Sequence, residues 1–479
     1  MMPSVKTALS RGAYWNLFPD SYRKNEIKSI ADWLKFGYSG SVIGGSGSGK
    51  SNLFGFISSK PHLLTQYMAP DAEVDNYLFC SFDVNSLPNV TPEYFYGEMV
   101  RVLKNKVEQT IPELAGEMET LASTVGPQND VLTLSRMLDQ LHTLVISQTG
   151  RTVVWLIDRF DEACRKLDVG SLNNLRWLRD QARYAAADQF RAKFAYVIFS
   201  RRPMERLRER KEISEFIEII EDHTTWVGPM SAEDTLWNID QIAQRAGAII
   251  EPDAATMIAK LSGGLTSFTK LITESYCSDK LDLSMTEAQW IKTVLSLPAA
   301  QRICQEILDE LALDEHTLLA TITSGATKQD ADAPTVTYLR NHGYATQNEQ
   351  GDHKIFSPIL YQYIDQTRAS AISNTFDVEP NSGTIRLNGL SVAQHFTALE
   401  AKLFRYLLEY EGLLCTRDAL EDELWPDDFD DETNMGDRRQ GLATLIKQLR
   451  QKIRELTASE YEYIVTVRGQ GFRYEVPHS

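Results

Sequence analysis

The feature that most constrains this chain is the segment Gly44-Gly45-Ser46-Gly47-Ser48-Gly49-Lys50-Ser51, which matches the pattern GxxxxGK[ST] throughout. The apolar stretch 41–43 precedes it and Asn52-Leu53-Phe54 follows it, so the pattern predicts a strand, a loop and a helix. Glycines let backbone N–H groups face phosphate oxygens, Lys50 neutralises the outer phosphates, and the Ser51 hydroxyl can ligate Mg²⁺. Residues 44–52 are therefore predicted to bind ATP and Mg²⁺. The alternative, a Gly/Ser-rich linker, rarely ends in GKS between a strand and a helix.

A second apolar run supplies the carboxylate that a phosphate loop needs for its metal ion. Residues 152–157 (TVVWLI) form a continuous apolar, β-rich run of the kind found in buried parallel sheets, and Asp158 follows them. We therefore predict that Asp158 and Ser51 hold Mg²⁺. The apolar runs 77–82 and 194–199 alternate with helical patterns, and this alternation predicts an α/β fold, a parallel sheet with helices on both faces.

Two arginines are candidates for contact with the γ-phosphate. Arg201 and Arg202 follow the run 194–199, at the strand end where the ligands of parallel sheets bind. For Arg202 a surface salt bridge is the favoured interpretation. For Arg201 a surface salt bridge and a contact with the γ-phosphate are equally favoured.

These motifs resemble the STAND and Orc-like branch of the AAA+ P-loop ATPases, over residues 10–365. Four further segments carry the resemblance: Asn25-Glu26-Ile27, Ser200-Arg201-Arg202-Pro203, Gly228-Pro229-Met230-Ser231 and Gly263-Gly264-Leu265-Thr266. In the third of them Gly and Pro are adjacent, whereas the branch has Gly-x-Pro. The resemblance implies an ATPase core over 1–228, a helical lid over 229–295, and contact between Pro229 and the nucleotide.

One position departs from that branch and affects the expected activity. Many relatives have a water-activating Glu directly after the metal-binding Asp, whereas this chain has Arg159 there. The resemblance implies that Asp161 or Glu162, one turn further on, substitutes for that Glu. We therefore expect ATP binding with slow hydrolysis, so that the two nucleotide states act as a switch.

Residues 296–370 show helical spacing followed by a hairpin pattern around the turn 341–343, and they resemble the small winged helix that follows the ATPase in this branch. No basic cluster marks a recognition helix in this segment, so we expect it to pack against the ATPase without contacting DNA. The uncharged segment 371–376 is predicted to be a linker to a C-terminal domain over 377–479.

The C-terminal region combines an acidic background with one basic helix. The chain has 49 Lys and Arg against 66 Asp and Glu, a net charge of −17, which argues against nonspecific polyanion binding. The segment 438–454 nevertheless has six cations and no acid, and five apolar residues recur in it at helical spacing: Leu442, Leu445, Ile446, Leu449 and Ile453. One face of this helix is thus predicted to pack inward while polar residues elsewhere on it read base edges. The strands within 463–474 would form a wing.

This region closely resembles the winged-helix effector domain of OmpR/PhoB-type response regulators. The resemblance is carried by 396–400 (FTALE), 424–425 (LW) and 467–473 (VRGQGFR). It implies sequence-specific binding of double-stranded DNA by Arg438, Arg439, Thr444, Lys447, Gln448, Arg450, Gln451, Arg468 and Arg473. The acidic segment 427–437 occupies the place of the family's loop that contacts RNA polymerase, and a solvated loop that repels DNA is an equal alternative.

The sequence leaves more than one function open. The leading hypothesis is a transcriptional regulator in which nucleotide state or ATP-dependent homo-oligomerisation controls DNA binding, since the ATPase stands where a response regulator has its receiver domain. The alternatives are a DNA-tethered ATPase machine in replication, transposition or phage defence, and a catalytically inactive scaffold, suggested by Arg159. No signal-peptide pattern and no apolar run of the ~20 residues that cross a bilayer are present, so a cytoplasmic protein without membrane contact is expected.

Overall fold

The computed structural model describes residues 14–68, 74–122, 130–184, 193–323, 333–348, 351–370, 375–380, 382–425, 435–457, 462–467 and 470–476. The chain forms two compact units, Met1–Tyr361 and Gln362–Ser479.

The centre of the first unit is a five-stranded, all-parallel sheet with the strand order β2-β3-β4-β1-β5. Its strands are β1 (Gly40–Ile43), β2 (Tyr77–Asp83), β3 (Thr152–Asp158), β4 (Phe194–Ser200) and β5 (Thr224–Trp226). The helices around it are α1 (Lys24–Leu34), α2 (Lys50–Ser59), α3 (His62–Met68), α4 (Pro92–Thr110), α5 (Ala115–Ala122), α6 (Val131–Thr149), α7 (Phe160–Lys166), α8 (Val169–Tyr184) and α9 (Arg210–Ile217).

Both faces of the sheet are covered by helices, as the continuous apolar strands predict. Successive residues of β3 point to opposite faces and enter two different hydrophobic cores. Trp155 belongs to the core formed with α4, α6 and α8, whereas Val154 and Leu156 belong to the core formed with α1, α2 and α3. The α/β prediction is thereby confirmed, and the strand order places β4 between β1 and β3.

Helices α10 (Ala232–Ala246), α11 (Pro252–Ser262), α12 (Thr266–Cys277) and α13 (Glu287–Leu295) follow, and the predicted helical character of this segment is confirmed. The chain continues with α14 (Pro298–Asp309), α15 (Leu313–Thr323), α16 (Pro334–Asn341), the antiparallel hairpin of β6 (Ala345–Gln347) and β7 (His353–Ile355), and α17 (Pro358–Ser370). Helices followed by a hairpin are what the sequence predicts here. The domain boundaries themselves stay predictions, and most of the predicted linker 371–376 lies outside the described residues.

The second unit begins at Gln362, within α17, and its first strands are the antiparallel β8 (Phe376–Val378), β9 (Ile385–Leu387) and β10 (Leu390–Ser391). It continues with α18 (Ala398–Glu409), β11 (Cys415–Thr416), α19 (Arg417–Leu424), α20 (Met435–Thr457), β12 (Ile464–Val467) and β13 (Gly471–Tyr474). Thr397 and Glu400 form the capping box that their spacing predicts. Leu442, Ile446, Leu449 and Ile453 are all buried in one core, so the predicted apolar face of α20 is confirmed.

Among the described residues, no helix is both long enough and apolar enough to cross a membrane.

Candidate functional site

The phosphate loop joins the buried strand β1 to helix α2 at the carboxyl edge of the sheet. Gly47 and Gly49 have φ angles of 76° and 91°, a left-handed conformation that glycine adopts without strain. The Gly44 N–H donates to the Ser200 carbonyl at 3.1 Å, which ties the loop to the end of β4. Lys50 is the first residue of α2, so the loop lies at a helix N-terminus, where backbone N–H groups and the helix dipole attract anions.

Lys50 and Asp158 form a buried ion pair in the centre of this edge. Lys50 Nζ lies 3.0 Å from Asp158 Oδ1, and the two side chains are 7% and 2% exposed. The pair forms because β1 and β3 end at the same edge of the parallel sheet, on either side of β4. The structure thus brings together the predicted phosphate-binding cation and the predicted metal-binding carboxylate, while the Ser51 side chain is exposed beside them in the chain.

Three hydroxyl groups around the loop indicate that it fits a ligand rich in hydrogen-bonding oxygens. Ser48 Oγ, Ser267 Oγ and Tyr344 Oη are buried, and they have no hydrogen-bond partner among the described residues. A Cβ added to Gly44, Gly47 or Gly45 would lie 2.7, 2.2 or 2.0 Å from these three atoms respectively. Because a buried unpaired hydroxyl is costly, a nucleotide phosphate that satisfied these groups would be stabilised.

The phosphate loop also contacts residues that the sequence analysis did not identify as functional. Arg23, which is 1% exposed, donates from Nη2 to the Ser48 carbonyl at 2.5 Å and from Nη1 to the Gly228 carbonyl at 2.8 Å. Thr266 Oγ1 donates to the same Ser48 carbonyl at 3.0 Å, and Ser267 N–H donates to the Gly47 carbonyl at 3.1 Å. These bonds hold the start of α12 against the loop. Thr266 ends the glycine turn 263–266, which was the one sequence signal for this contact.

Two cavities lie beside these residues. One of about 720 Å³ is lined by Asn25, Glu26 and Pro229, so the segments 25–27 and 228–231 border the same cavity. The other, of about 430 Å³, is lined by Asn52 and the aromatic side chains of Phe18 and Trp237. Both volumes lie within the range of small-molecule sites.

The carboxylates that were predicted to activate water are engaged in other contacts. Asp161 is buried, and its Oδ1 accepts the backbone N–H of Arg201 at 2.6 Å. Glu162 is paired with Arg165 at 3.3 Å and Lys166 at 3.2 Å on the surface of α7. A catalytic role for either carboxylate stays a prediction.

Arg201 and Arg202 leave the end of β4 differently. Asp161 fixes the backbone of Arg201, whose side chain is exposed. Arg202 donates from Nη2 to the Asp309 carbonyl at 2.6 Å, so it reaches the end of α14. That bond joins two segments that are far apart in sequence, and the roles predicted for Arg201 and Arg202 stay predictions.

Arg159 has an uncommon backbone conformation directly after Asp158. Its φ is 57°, in the left-handed region, and it precedes the first turn of α7. Its Nε lies 3.7 Å from Asp83 Oδ2, at the end of the neighbouring strand β2. A non-glycine residue in this conformation stores strain, which is common beside functional sites.

In the second unit, the polar residues predicted to read DNA lie on the exposed face of α20. The side chains of Thr444, Lys447, Gln448 and Gln451 are exposed, opposite the buried apolar face. Gln451 Nε2 donates to Glu455 Oε1 at 3.0 Å, one turn further along the helix. The side chains of Arg438 and Arg439, the residue Arg468 and most of the segment 427–437 lie outside the described residues.

Arg450 has contacts that the sequence analysis did not anticipate. Its guanidinium donates to the Ile464 carbonyl at 2.9 and 2.6 Å and to Thr466 Oγ1 at 2.7 Å, and it pairs with Glu462 at 3.2 Å. It therefore fixes strand β12 of the wing against α20. Arg473, on β13, pairs with Glu475. The predicted phosphate contacts of both arginines stay predictions.

Residues 393–474 match the model of the family described as "Transcriptional regulatory protein, C terminal", so the second unit contains an OmpR/PhoB-type winged-helix domain. No curated protein matches the chain.

Solved structures similar to the chain include a Walker-type ATPase of Pyrococcus abyssi, with 12% identity, a TM-score of 0.42, and coverage of 73% of this chain and 99% of that one. The ORC2 protein of Aeropyrum pernix in its ADPNP-ADP complexes has 13% identity, a TM-score of 0.39, and coverage of 73% and 94%. The ORC1 protein of Aeropyrum pernix in complex with DNA has 12% identity, a TM-score of 0.35, and coverage of 74% and 97%. The P-loop ATPase fold of the first unit follows from its strand order and its phosphate loop, independently of these similarities.

Proposed function

We propose that this chain is an ATP-binding, slowly ATP-hydrolysing regulator whose nucleotide state controls sequence-specific binding of double-stranded DNA, and that it acts in transcription in the cytoplasm. The observation that carries the proposal is the buried Lys50–Asp158 pair beside a phosphate loop, in one chain with an OmpR/PhoB-type winged helix.

The first unit offers a complete set of groups for Mg·ATP. The loop N–H groups and Lys50 would hold the phosphates, and Ser51 and Asp158 would hold Mg²⁺, which neutralises phosphate charge when bound. The cavity of about 430 Å³ lined by Asn52, Phe18 and Trp237 has a suitable size and aromatic lining for the base. Slow turnover is supported by Asp161 and Glu162, because both carboxylates are already bonded within the protein.

The second unit offers a reading surface for DNA. In α20 the side chains of Thr444, Lys447 and Gln448 are exposed on the face opposite the core, and Arg450 keeps the wing beside that helix. Gln and Lys side chains can hydrogen-bond base edges in the major groove. The proposal includes an ATP-dependent homo-oligomer and a contact of the acidic segment 427–437 with RNA polymerase.

The test begins by finding the preferred duplex with a random DNA library and the full-length protein. The affinity for that duplex is then measured by fluorescence anisotropy with Mg·ATP, with Mg·ADP and without nucleotide. We expect affinities that differ by about tenfold between nucleotide states, a typical coupling between two sites. Equal affinities in all three conditions would refute the proposed control of DNA binding by the nucleotide state. DNA-stimulated ATP turnover with filament formation would instead support the DNA-tethered machine.

Gln448→Ala is expected to relax specificity at one base pair. Loss of a paired amide in the major groove reduces discrimination by about 1–3 kcal/mol at the position that it reads. The measurement is the anisotropy titration of the preferred duplex and of its single-base variants. Gln394→Ala is the matched control, since it also removes an exposed amide from the second unit but lies outside α20, and we expect unchanged discrimination. Unchanged discrimination at every base pair in Gln448→Ala would show that this residue does not read DNA.

A further inference from the structure

The phosphate loop is bonded to two carboxylates from the end of α14. Glu310 is the residue that directly follows this helix, and its Oε2 accepts the Ser46 backbone N–H at 2.7 Å. Glu306, one turn earlier, accepts the Ser46 hydroxyl at 2.9 Å. The same Glu310 oxygen lies 2.8 Å from the position of a Cβ added to Gly45. The backbone N–H and the side-chain hydroxyl of Ser46, in the middle of the loop, are therefore both hydrogen-bonded to carboxylates.

A carboxylate in this position resembles a phosphate oxygen chemically. Both are anionic acceptors, and both form charge-assisted hydrogen bonds with the inward-facing N–H groups of such a loop. While the Ser46 N–H donates to Glu310 at 2.7 Å, it is not available to a phosphate oxygen. A polyanionic triphosphate would also be repelled by the charges of Glu306 and Glu310.

Glu310 is held at the loop by contacts on both sides of it in the chain. Arg202 Nη2 donates to the carbonyl of the preceding residue, Asp309, at 2.6 Å. Arg206 pairs at 2.6 Å with Glu315, which is 1% exposed, and the same guanidinium lies 3.7 Å from the centre of the Tyr338 ring. Arginines that follow β4 thus fix this segment against the ATPase core.

Burial and the groups around Glu310 shift the pKa of its carboxyl in opposite directions. Burial raises the pKa of the Glu310 carboxyl, whereas the Ser46 N–H and the guanidinium groups of Arg201 and Arg202 oppose that rise. The arginines that follow β4 therefore stabilise the charged carboxylate as well as the position of the segment.

We propose that Glu310 is an internal competitor of nucleotide phosphate: its carboxylate occupies the phosphate loop, and ATP binds only when the end of α14 leaves the loop. This inference rests on the proposed nucleotide site and describes its regulation. Nucleotide binding and the seating of residues 306–310 on the loop exclude one another, so ATP releases this segment from the core. Any ligand that held the segment on the loop would keep the protein free of nucleotide.

The test is the affinity of the full-length protein for a fluorescent N-methylanthraniloyl-ATP with Mg²⁺, measured for the wild type, Glu310→Ala and Glu310→Gln. If the carboxylate occupies the loop in about 90% of the molecules, its removal strengthens the apparent affinity about tenfold. Asp309→Asn is the matched control, because it removes one negative charge from the neighbouring position, where the carboxylate accepts a hydrogen bond from Gln305 at 2.8 Å. We expect this control to change the affinity by less than about twofold, since exposed charges are strongly screened.

A second measurement reports the contact directly. Hydrogen exchange of the Ser46 amide without nucleotide is expected to be faster in Glu310→Ala than in the wild type, because the acceptor of that N–H is removed. Equal affinities of the wild type and Glu310→Ala, with equal Ser46 exchange, would overturn the competition while leaving the nucleotide site in place. Failure of every variant to bind the nucleotide, although each melts cooperatively, would refute the proposed function itself.

Discussion

Replacing Lys50 with methionine is expected to abolish ATP binding and to destabilise the first unit strongly. The Lys50 ammonium is the partner of Asp158 at 3.0 Å, and the Asp158 side chain is only 2% exposed. Removing one member of a buried ion pair leaves an uncompensated charge and costs about 3–5 kcal/mol. The checks are urea unfolding without nucleotide and the shift of the melting temperature on adding Mg·ATP, which should disappear.

The double variant Lys50→Met/Asp158→Asn separates the two effects. We expect it to recover most of the lost stability, because no unpaired charge remains, and still to show no shift with Mg·ATP, because both ligand-binding groups are gone. Lys211→Met is the matched control in the same unit. Lys211 pairs with Glu209 at 2.6 Å, and the two side chains are 78% and 68% exposed, so the cost should stay below about 1 kcal/mol. A melting-temperature shift with Mg·ATP that survives Lys50→Met would contradict the proposed site.

The parts of the site that could be predicted from the sequence are those encoded over short distances. The loop 44–51 and the strand that ends at Asp158 each have a local pattern, and the edge of a parallel sheet brings such patterns together without further information. Lys50 and Asp158 were therefore both assigned to this edge of the sheet from the sequence, although 108 positions separate them; their ion pair was not predicted.

Other contacts of the loop have no local pattern. Glu310 is 264 positions from Ser46, and nothing around it distinguishes it from other helix-end glutamates. Arg23 bonds Gly228 across 205 positions by donating to a backbone carbonyl, an acceptor that every residue provides. Such contacts follow from how the segments pack, so single-sequence reasoning could not find them.

In the C-terminal unit, the buried and exposed faces of the helix could be predicted from the sequence. The binding partners of its individual basic side chains could not. The period of the apolar residues assigns Leu449 and Ile453 to the core, and both are buried there. Arg450 lies between them in a basic segment, and composition alone suggests a phosphate contact. Its bond to the Ile464 carbonyl depends instead on where the wing returns to the helix.

Replacing Phe404 with alanine is expected to destabilise the second unit and weaken DNA binding while leaving ATP binding unchanged. The Phe404 side chain is fully buried, and its ring centre lies 4.9 Å from that of Phe376, 5.5 Å from that of Phe396 and 5.9 Å from that of Tyr474. Its truncation removes apolar contact and leaves a cavity, at a cost of about 3–5 kcal/mol. Domains of this size have a free energy of unfolding of about 5–15 kcal/mol, so much of the stability of the second unit would be lost.

DNA binding and ATP binding should respond differently because the chain divides into two compact units, Met1–Tyr361 and Gln362–Ser479, and Phe404 belongs to the second. Tyr410→Ala is the matched control: it also deletes an aromatic ring, next to the end of α18. Tyr410 is 39% exposed and its ring contacts that of Tyr406 at 4.7 Å, so the cost should be about 1 kcal/mol, well below that of Phe404→Ala. Nucleotide titration and anisotropy with the preferred duplex are compared for both variants. Loss of ATP binding in Phe404→Ala would show that the units fold as one, and an unchanged urea midpoint of the second unit would contradict the predicted destabilisation. Selective loss of DNA binding would establish that the unit that binds ATP folds independently of the DNA-binding unit.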